Sequence, residues 1–216
     1  SSTHGYVAGG RRDHPPGGYG GGIQKFPFAS DSANATCIGD LNNGRCEMAG
    51  NMSTTTGYSG GGRFPDINVI DKYPFASDTN ASDSGDLLNT VARAVGHSSR
   101  THGYFSGGVS PPSNATTIQK FSFASEGNTT DVGELADEHS KGAGQNSAEN
   151  GYHSTGTNAA QNACTDTIDK FPFAADNPGT DVGNISCDRC GAAGISSSTD
   201  GYAASGNPGR NNVIDK

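Results

Sequence analysis

One motif recurs along the whole chain at a period of about 48 residues, and a period of that length leaves few folds open. Its first half carries Gly-Tyr, at Gly5-Tyr6, Gly57-Tyr58, Gly103-Tyr104, Gly151-Tyr152 and Gly201-Tyr202. Its second half opens with an Ile-x-Lys-aromatic-x-Phe-Ala string at 23–29, 70–76, 118–124 and 168–174, and Ile214-Asp215-Lys216 matches the start of that string. The chain reads as one array, 1–216, with units at about 1–50, 51–96, 97–144 and 145–194 and a partial unit at 195–216.

Spacing separates rigid parts from free ones. Gly39, Gly85, Gly133 and Gly183 are each followed 11 residues later by Gly50, Gly96, Gly144 and Gly194, and 7 further on by Gly-Tyr. The stretch from that Tyr to the Lys of the string runs 19, 14, 16, 18 and 14 residues, so it contains a loop of free length. Loops that vary between constant flanks lie on the surface.

Each unit reads as short strands. Tyr104-Phe105-Ser106 closes in Gly107-Gly108, and residues 118–123 alternate with period two. Asn, Asp, Gly and Ser then punctuate the chain before a short segment around Val132 to Leu135. No stretch sustains a 3.6-residue period, so the expected class is all-β. The aromatic pairs Phe26/Phe28, Tyr73/Phe75, Phe121/Phe123 and Phe171/Phe173 are expected to hold equivalent places in successive sheets, with at least one ring of each pair buried.

A strand ending in Gly-Gly, a variable loop, and a hydrophobic-x-Lys-Phe strand running into an acidic turn together resemble a kelch repeat. The resemblance implies a β-propeller of four-stranded blades, about 4.5 of them here; an open β-solenoid is the alternative. The chain departs from kelch in having no Trp after the acidic turn, where Gly39-Asp40-Leu41 and Gly85-Asp86-Leu87 stand instead. The run from Asp71 to Asp78 through Gly85-Asp86-Leu87 further resembles repeats of virion-associated, tail-fibre-like proteins of marine bacteriophages. That likeness implies an extracellular or virion-surface setting.

Composition narrows the partners. Apolar residues make up 31% of the chain and Gly 33 of its 216 residues, so only a regular placement of the apolar groups can offset chain entropy. A net charge of −8, with Arg11-Arg12 the sole basic doublet, speaks against nucleic acid. No ten consecutive residues are apolar, so no membrane insertion is expected. Two half-units of the same kind flank the array, which leads to the expectation of a portion of a longer array or a link in a polymer, whose partners are further copies or other structural subunits.

The acidic loops carry the most suggestive chemistry. Asp78, Asn80, Asp83 and Asp86, with Glu126 and Asp131 in the next unit, offer oxygens of the kind Ca²⁺ takes. Their spacing is not that of an EF-hand, and capping of β-turns is the preferred reading. No other cofactor is expected. Sequons stand at Asn34, Asn51, Asn80, Asn114, Asn128 and Asn184, acceptors for glycans in a secreted eukaryotic protein. Disulfides are expected within units, Cys37 with Cys46 and Cys187 with Cys190, leaving Cys164 over and implying an oxidising compartment.

No nucleophile elbow, phosphate loop or metalloprotease motif occurs, and His4 and His102 share a Thr-His-Gly-Tyr context that is a repeat feature. A copper-oxidase propeller would need Tyr, Cys and His ligands in an arrangement the sequence does not present. The expected function is a non-enzymatic structural or adhesive module of a fibre or coat. The alternative is a lectin-like propeller that binds cell-surface glycans through its variable loops, although these offer few aromatic platforms beyond Tyr19 and Phe64.

Overall fold

The structure, a computed structural model, describes residues 1–12, 18–30, 32–110, 113–208 and 212–216. The chain forms a β-propeller of five blades, each an antiparallel sheet. Blade 1 holds β1 (His4–Arg12), β2 (Gly18–Pro27) and β3 (Thr36–Asp40); blade 2 holds β4 (Ala49–Met52), β5 (Thr56–Gly60), β6 (Val69–Pro74) and β7 (Ser82–Asp86). Blade 3 comprises β8 (Val95–Ser98), β9 (His102–Ser106), β12 (Thr117–Ser122) and β13 (Thr130–Glu134), with the small hairpin β10 (Val109–Ser110) and β11 (Ser113–Asn114) in its variable loop. Blade 4 comprises β14 (Ala143–Asn146), β15 (Asn150–Thr157), β16 (Cys164–Pro172) and β17 (Thr180–Arg189), and blade 5 has β18 (Ala193–Ser196), β19 (Gly201–Ala204) and β20 (Ile214–Asp215).

The Gly-Tyr dipeptide and the aromatic pair lock one blade to the next. A Cβ on Gly57, Gly103 or Gly151 would lie 2.3–2.4 Å from the ring of Tyr73, Phe121 or Phe171 in its own blade, so only glycine lets the ring lie flat on the backbone. The adjoining Tyr faces the following blade. Tyr6 stacks on Phe75 at 4.6 Å between centroids, Tyr58 on Phe123 at 5.2 Å and Tyr104 on Phe173 at 4.8 Å. Ile23, Ile70 and Ile118 complete these three cores and are wholly buried. Tyr73, Phe121 and Phe171 are buried as expected of the pairs. The first pair differs: Phe26 is half-buried and Phe28 is 59% exposed, because among the described residues no blade packs against that flank.

The outer strand of each blade leads to the inner strand of the next through a connection of fixed length. Glu47, Arg93, Lys141 and Gly191 occupy one position in these connections, and all four take a left-handed φ of 58–67°. That conformation turns each connection into a step of a staircase. The Arg93 amide donates to the Glu47 carbonyl at 2.8 Å, Lys141 to Arg93 at 3.0 Å, and Gly191 to Lys141 at 2.7 Å. Invariant spacing in the sequence is therefore the spacing of a hydrogen-bonded ladder between blades.

The cysteines depart from expectation. Cys164 bonds to Cys190, their Cα atoms 5.3 Å apart, while Cys37 and Cys46 remain thiols and Cys187 lies outside the bridge. Register decides this: Thr165 pairs with Arg189 across β16 and β17, which sets Cys164 opposite Cys190. Cys187 and Cys190 are three residues apart along extended chain, about 10 Å at ~3.3 Å per residue, and a bridge needs less than about 7 Å. Cys37 sits early on β3 opposite Gln24, whereas Cys46 lies in the connection to β4 and bridges Arg63 of blade 2.

Candidate functional site

The acidic loops spend their oxygens on blade contacts and turns. Asp78 accepts the Lys25 ammonium at 2.5 Å, Glu126 that of Lys72, and Asp176 that of Lys120 at 2.5 Å, each joining one blade to the next. Asn80 Oδ1 accepts the Asp40 amide at 3.1 Å and Asn128 Oδ1 the Asp86 amide at 3.0 Å. Asp83, Asp131 and Asp181 each accept the amide two residues on, closing Asx-turns at Gly85, Gly133 and Gly183. Among the described residues no three His, Cys, Asp or Glu side chains converge as metal ligands.

The sequons divide by exposure. Asn34, Asn80, Asn128 and Asn184 are exposed. Asn51, expected as a surface acceptor, is buried instead: on the inner strand β4 it is 6% exposed and its Oδ1 accepts from Ser98 of blade 3. The Asn114 side chain lies outside the described residues.

The ionisable groups with the most perturbed surroundings lie between blades. One position on the third strand, held by Asp71, Gln119, Asp169 and Asp215, accepts a hydrogen bond from the preceding blade every time. The donors are Asn42 Nδ2, the Leu88 amide at 2.8 Å, the Ala136 amide at 3.1 Å and the Ser186 amide at 3.3 Å. A second position, five residues before Gly50, Gly96, Gly144 and Gly194, is held by Arg45, Val91, His139 and Arg189. Arg45 donates to Asp71 at 2.7 Å with both side chains fully buried, and also to the carbonyls of Gly61, Asn43 and Ser59. Arg189 pairs with Asp215.

Between blades 3 and 4 the same space holds histidines. Ser106 Oγ lies 2.8 Å from His97 Nε2 and 2.9 Å from His153 Nδ1, and the His139 ring stands 5.7 Å from that of His153. Burial pushes His97 down to about 4, and burial with two neighbouring imidazoles holds His153 well below the usual histidine range. His139 is lowered by burial against the opposing pull of Asp169, whose own carboxyl is raised by burial. These are neutral rings inside a sealed network. The sequence reading passed over them; the signal that could have found them is the alignment of Arg45, His139 and Arg189 at one repeat position.

Antiparallel strands place the variable loops and the connections at one end of the blades and the inner hairpin turns at the other. Those turns repeat a device: Ser53, Ser99, Ser147 and Ser197 each accept, through Oγ, the amides two and three residues on. Ser53, Ser99 and Ser147 rim a 540 Å³ depression lined also by Ser1, Thr54 and Arg100. At the opposite end Tyr19 and Phe64 stack on each other at 4.5 Å, with the Arg63 guanidinium 5.8 Å from the Phe64 ring. A second cavity, of 380 Å³, lies between blades 4 and 5.

No family model matches the sequence, and no curated protein matches it. Among solved structures, one titled "Structure of YjhT" superposes with a TM-score of 0.77 over 95% of this chain and 70% of its own, at 14% identity. At that identity the likeness concerns the fold alone.

Proposed function

We propose that this chain is a non-catalytic, kelch-like propeller module of an extracellular or virion-surface assembly, serving as a structural or adhesive part of a fibre or coat. The observation that carries the reading is where the chemistry-bearing side chains sit. Arg45, Asp71, His97, Ser106, His139, His153 and Asp169 are each 2% exposed or less, so they orient blades against one another and cannot meet a substrate. The Cys164–Cys190 bridge favours an oxidising setting. The lectin reading is disfavoured because Tyr19 and Phe64, the aromatic residues of the variable loops, use their rings on each other.

Two measurements test this. Antibodies against the chain, applied to intact particles or cells of its natural source, should label the outer surface; labelling confined to the interior would refute the setting. On a glycan array the purified chain should retain nothing. A glycan held by the chain and released by Phe64→Ala would replace the structural reading with the lectin one.

A further inference from the structure

The fold imposes a glycine at position 44. Gly44 lies in the connection from β3 to β4, where β2 runs against it, and a Cβ there would stand 2.5 Å from the Tyr19 carbonyl oxygen and 3.2 Å from the main chain of Gly20 and Gly21. The connections that follow hold Thr90, Glu138 and Asp188 at the same place. Only the first of the four therefore sets a glycine directly after an asparagine, Asn43.

Such a pair is labile wherever the chain is free to react. The amide nitrogen that follows an asparagine can attack the side-chain carbonyl carbon, and glycine leaves that nitrogen unshielded on the most pliant backbone. Asn43 is exposed, and among the described residues neither its side-chain amide nor the Gly44 N–H has a hydrogen-bond partner. Its neighbour Asn42 is tied down, Nδ2 donating to Asp71. The other described Asn-Gly pair, Asn150-Gly151, stands in β15 between β14 and β16, with Gly151 buried under the Phe171 ring.

We propose that Asn43 is a site of covalent modification, a spontaneous deamidation with rearrangement to isoaspartate that loosens the joint between blades 1 and 2. The Gly44 nitrogen gives its proton to solvent base and bonds to Asn43 Cγ; the Cγ–Nδ2 bond breaks, ammonia leaves, and a five-membered imide remains. Water then opens the ring. Attack at Cγ yields aspartate in an unchanged chain, whereas attack at the main-chain carbonyl yields isoaspartate, whose chain runs through Cγ and whose former carbonyl carbon becomes the free carboxylate. That main-chain carbonyl is the one Arg45 Nη1 holds at 3.2 Å, beside its buried pairing with Asp71. The methylene added before Gly44 finds no slack under the Tyr19 carbonyl, so Arg45, the next residue, is drawn off its partners. The inference stands independently of whether the module belongs to a coat.

The test ages the purified chain in mildly alkaline buffer at body temperature, then reduces it, digests it with trypsin and maps it by mass spectrometry. Peptides 26–45 and 142–170 report the two pairs. Asn43 should convert to acid in the folded chain, while Asn150 converts more slowly by a factor on the order of a hundred, because its ladder must open first. In urea both should convert at like rates, and Asn43→Gln should keep its amide when folded. The aged chain, enriched by ion exchange for its added negative charge, should show a fraction that unfolds at lower urea than Asn43→Asp, in proportion to its isoaspartate content, since that variant carries the same charge on an ordinary backbone. Asn43 that keeps its amide in the folded chain while the urea-unfolded chain converts, or Asn150 that converts as fast as Asn43 when folded, would overturn the site. An isoaspartate form that unfolds together with Asn43→Asp would overturn its effect on the joint.

Discussion

Replacing Asp71 by glutamine would leave the Arg45 guanidinium sealed between blades 1 and 2 without its counter-charge. Arg45 would keep the carbonyls of Gly61, Asn43 and Ser59, but a buried cation stripped of its carboxylate costs about 3–5 kcal/mol. With a urea m-value of about 3 kcal/mol/M, the unfolding midpoint should fall by about 1–1.7 M. The molecule also holds a neutral solution to the same problem. At the equivalent positions Val91 joins the apolar core, while Gln119 Oε1 accepts from the Leu88 amide and the Thr129 hydroxyl. Arg45→Val together with Asp71→Gln should therefore restore stability to within about 1 kcal/mol of the parent, giving a coupling energy of about 3 kcal/mol or more. Urea denaturation of the parent, both single variants and the double variant measures it. A single-variant cost below about 1 kcal/mol, or a double variant that loses the sum of the two, would refute the reasoning.

Acid should destabilise the fold through its buried imidazoles: His97 is held down to about 4 when folded, so the unfolded chain takes up that proton first, near 6.5. Stability from this residue is full above about pH 6.5, falls by about 2 kcal/mol at pH 5 and is lost below about pH 4; His153 and His139 add in the same direction, and Asp169, raised by burial, offsets part of it. Urea midpoints that do not move between pH 7.5 and 5 would contradict it. Phe171→Ala should cost about 3–5 kcal/mol, whereas Phe28→Ala, in the equivalent pair but 59% exposed, should stay within about 0.5 kcal/mol; equal losses would undo the account of blade packing. Reducing Cys164–Cys190, which closes a separation of 26 residues, should lower stability by about 3 kcal/mol, read as a drop in melting temperature with dithiothreitol that a Cys164→Ala variant does not show.

The architecture was legible because its determinants are local and repeated. Gly-Tyr and the aromatic pair recur at fixed spacing, and period two within residues 118–123 identifies the strand that carries the rings. The disulfide was not legible, since Cys164 meets Cys190 only through the register of two long strands, and proximity in sequence pointed to Cys187 instead. Asn51 looked like any other sequon because its burial comes from the neighbouring blade. The histidine network escaped notice for the same reason: His97 and His153 lie on different blades and meet only when these pack. In the acidic loops, preferring turn-capping over metal led toward the Asx-turns found at Asp83 and Asp131, but nothing local announced that Asp78 and Glu126 would reach back to a lysine of the preceding blade.

The staircase at Glu47, Arg93, Lys141 and Gly191 gives the array a direction. In every step the later connection offers the N–H and the earlier one the C=O, and the same sense holds where the Ala81, Thr129 and Gly179 amides donate to the carbonyls of Asp40, Asp86 and Glu134. Within each connection a blade therefore turns N–H groups toward its predecessor and C=O groups toward its successor, so a blade reversed in the array would set donor against donor.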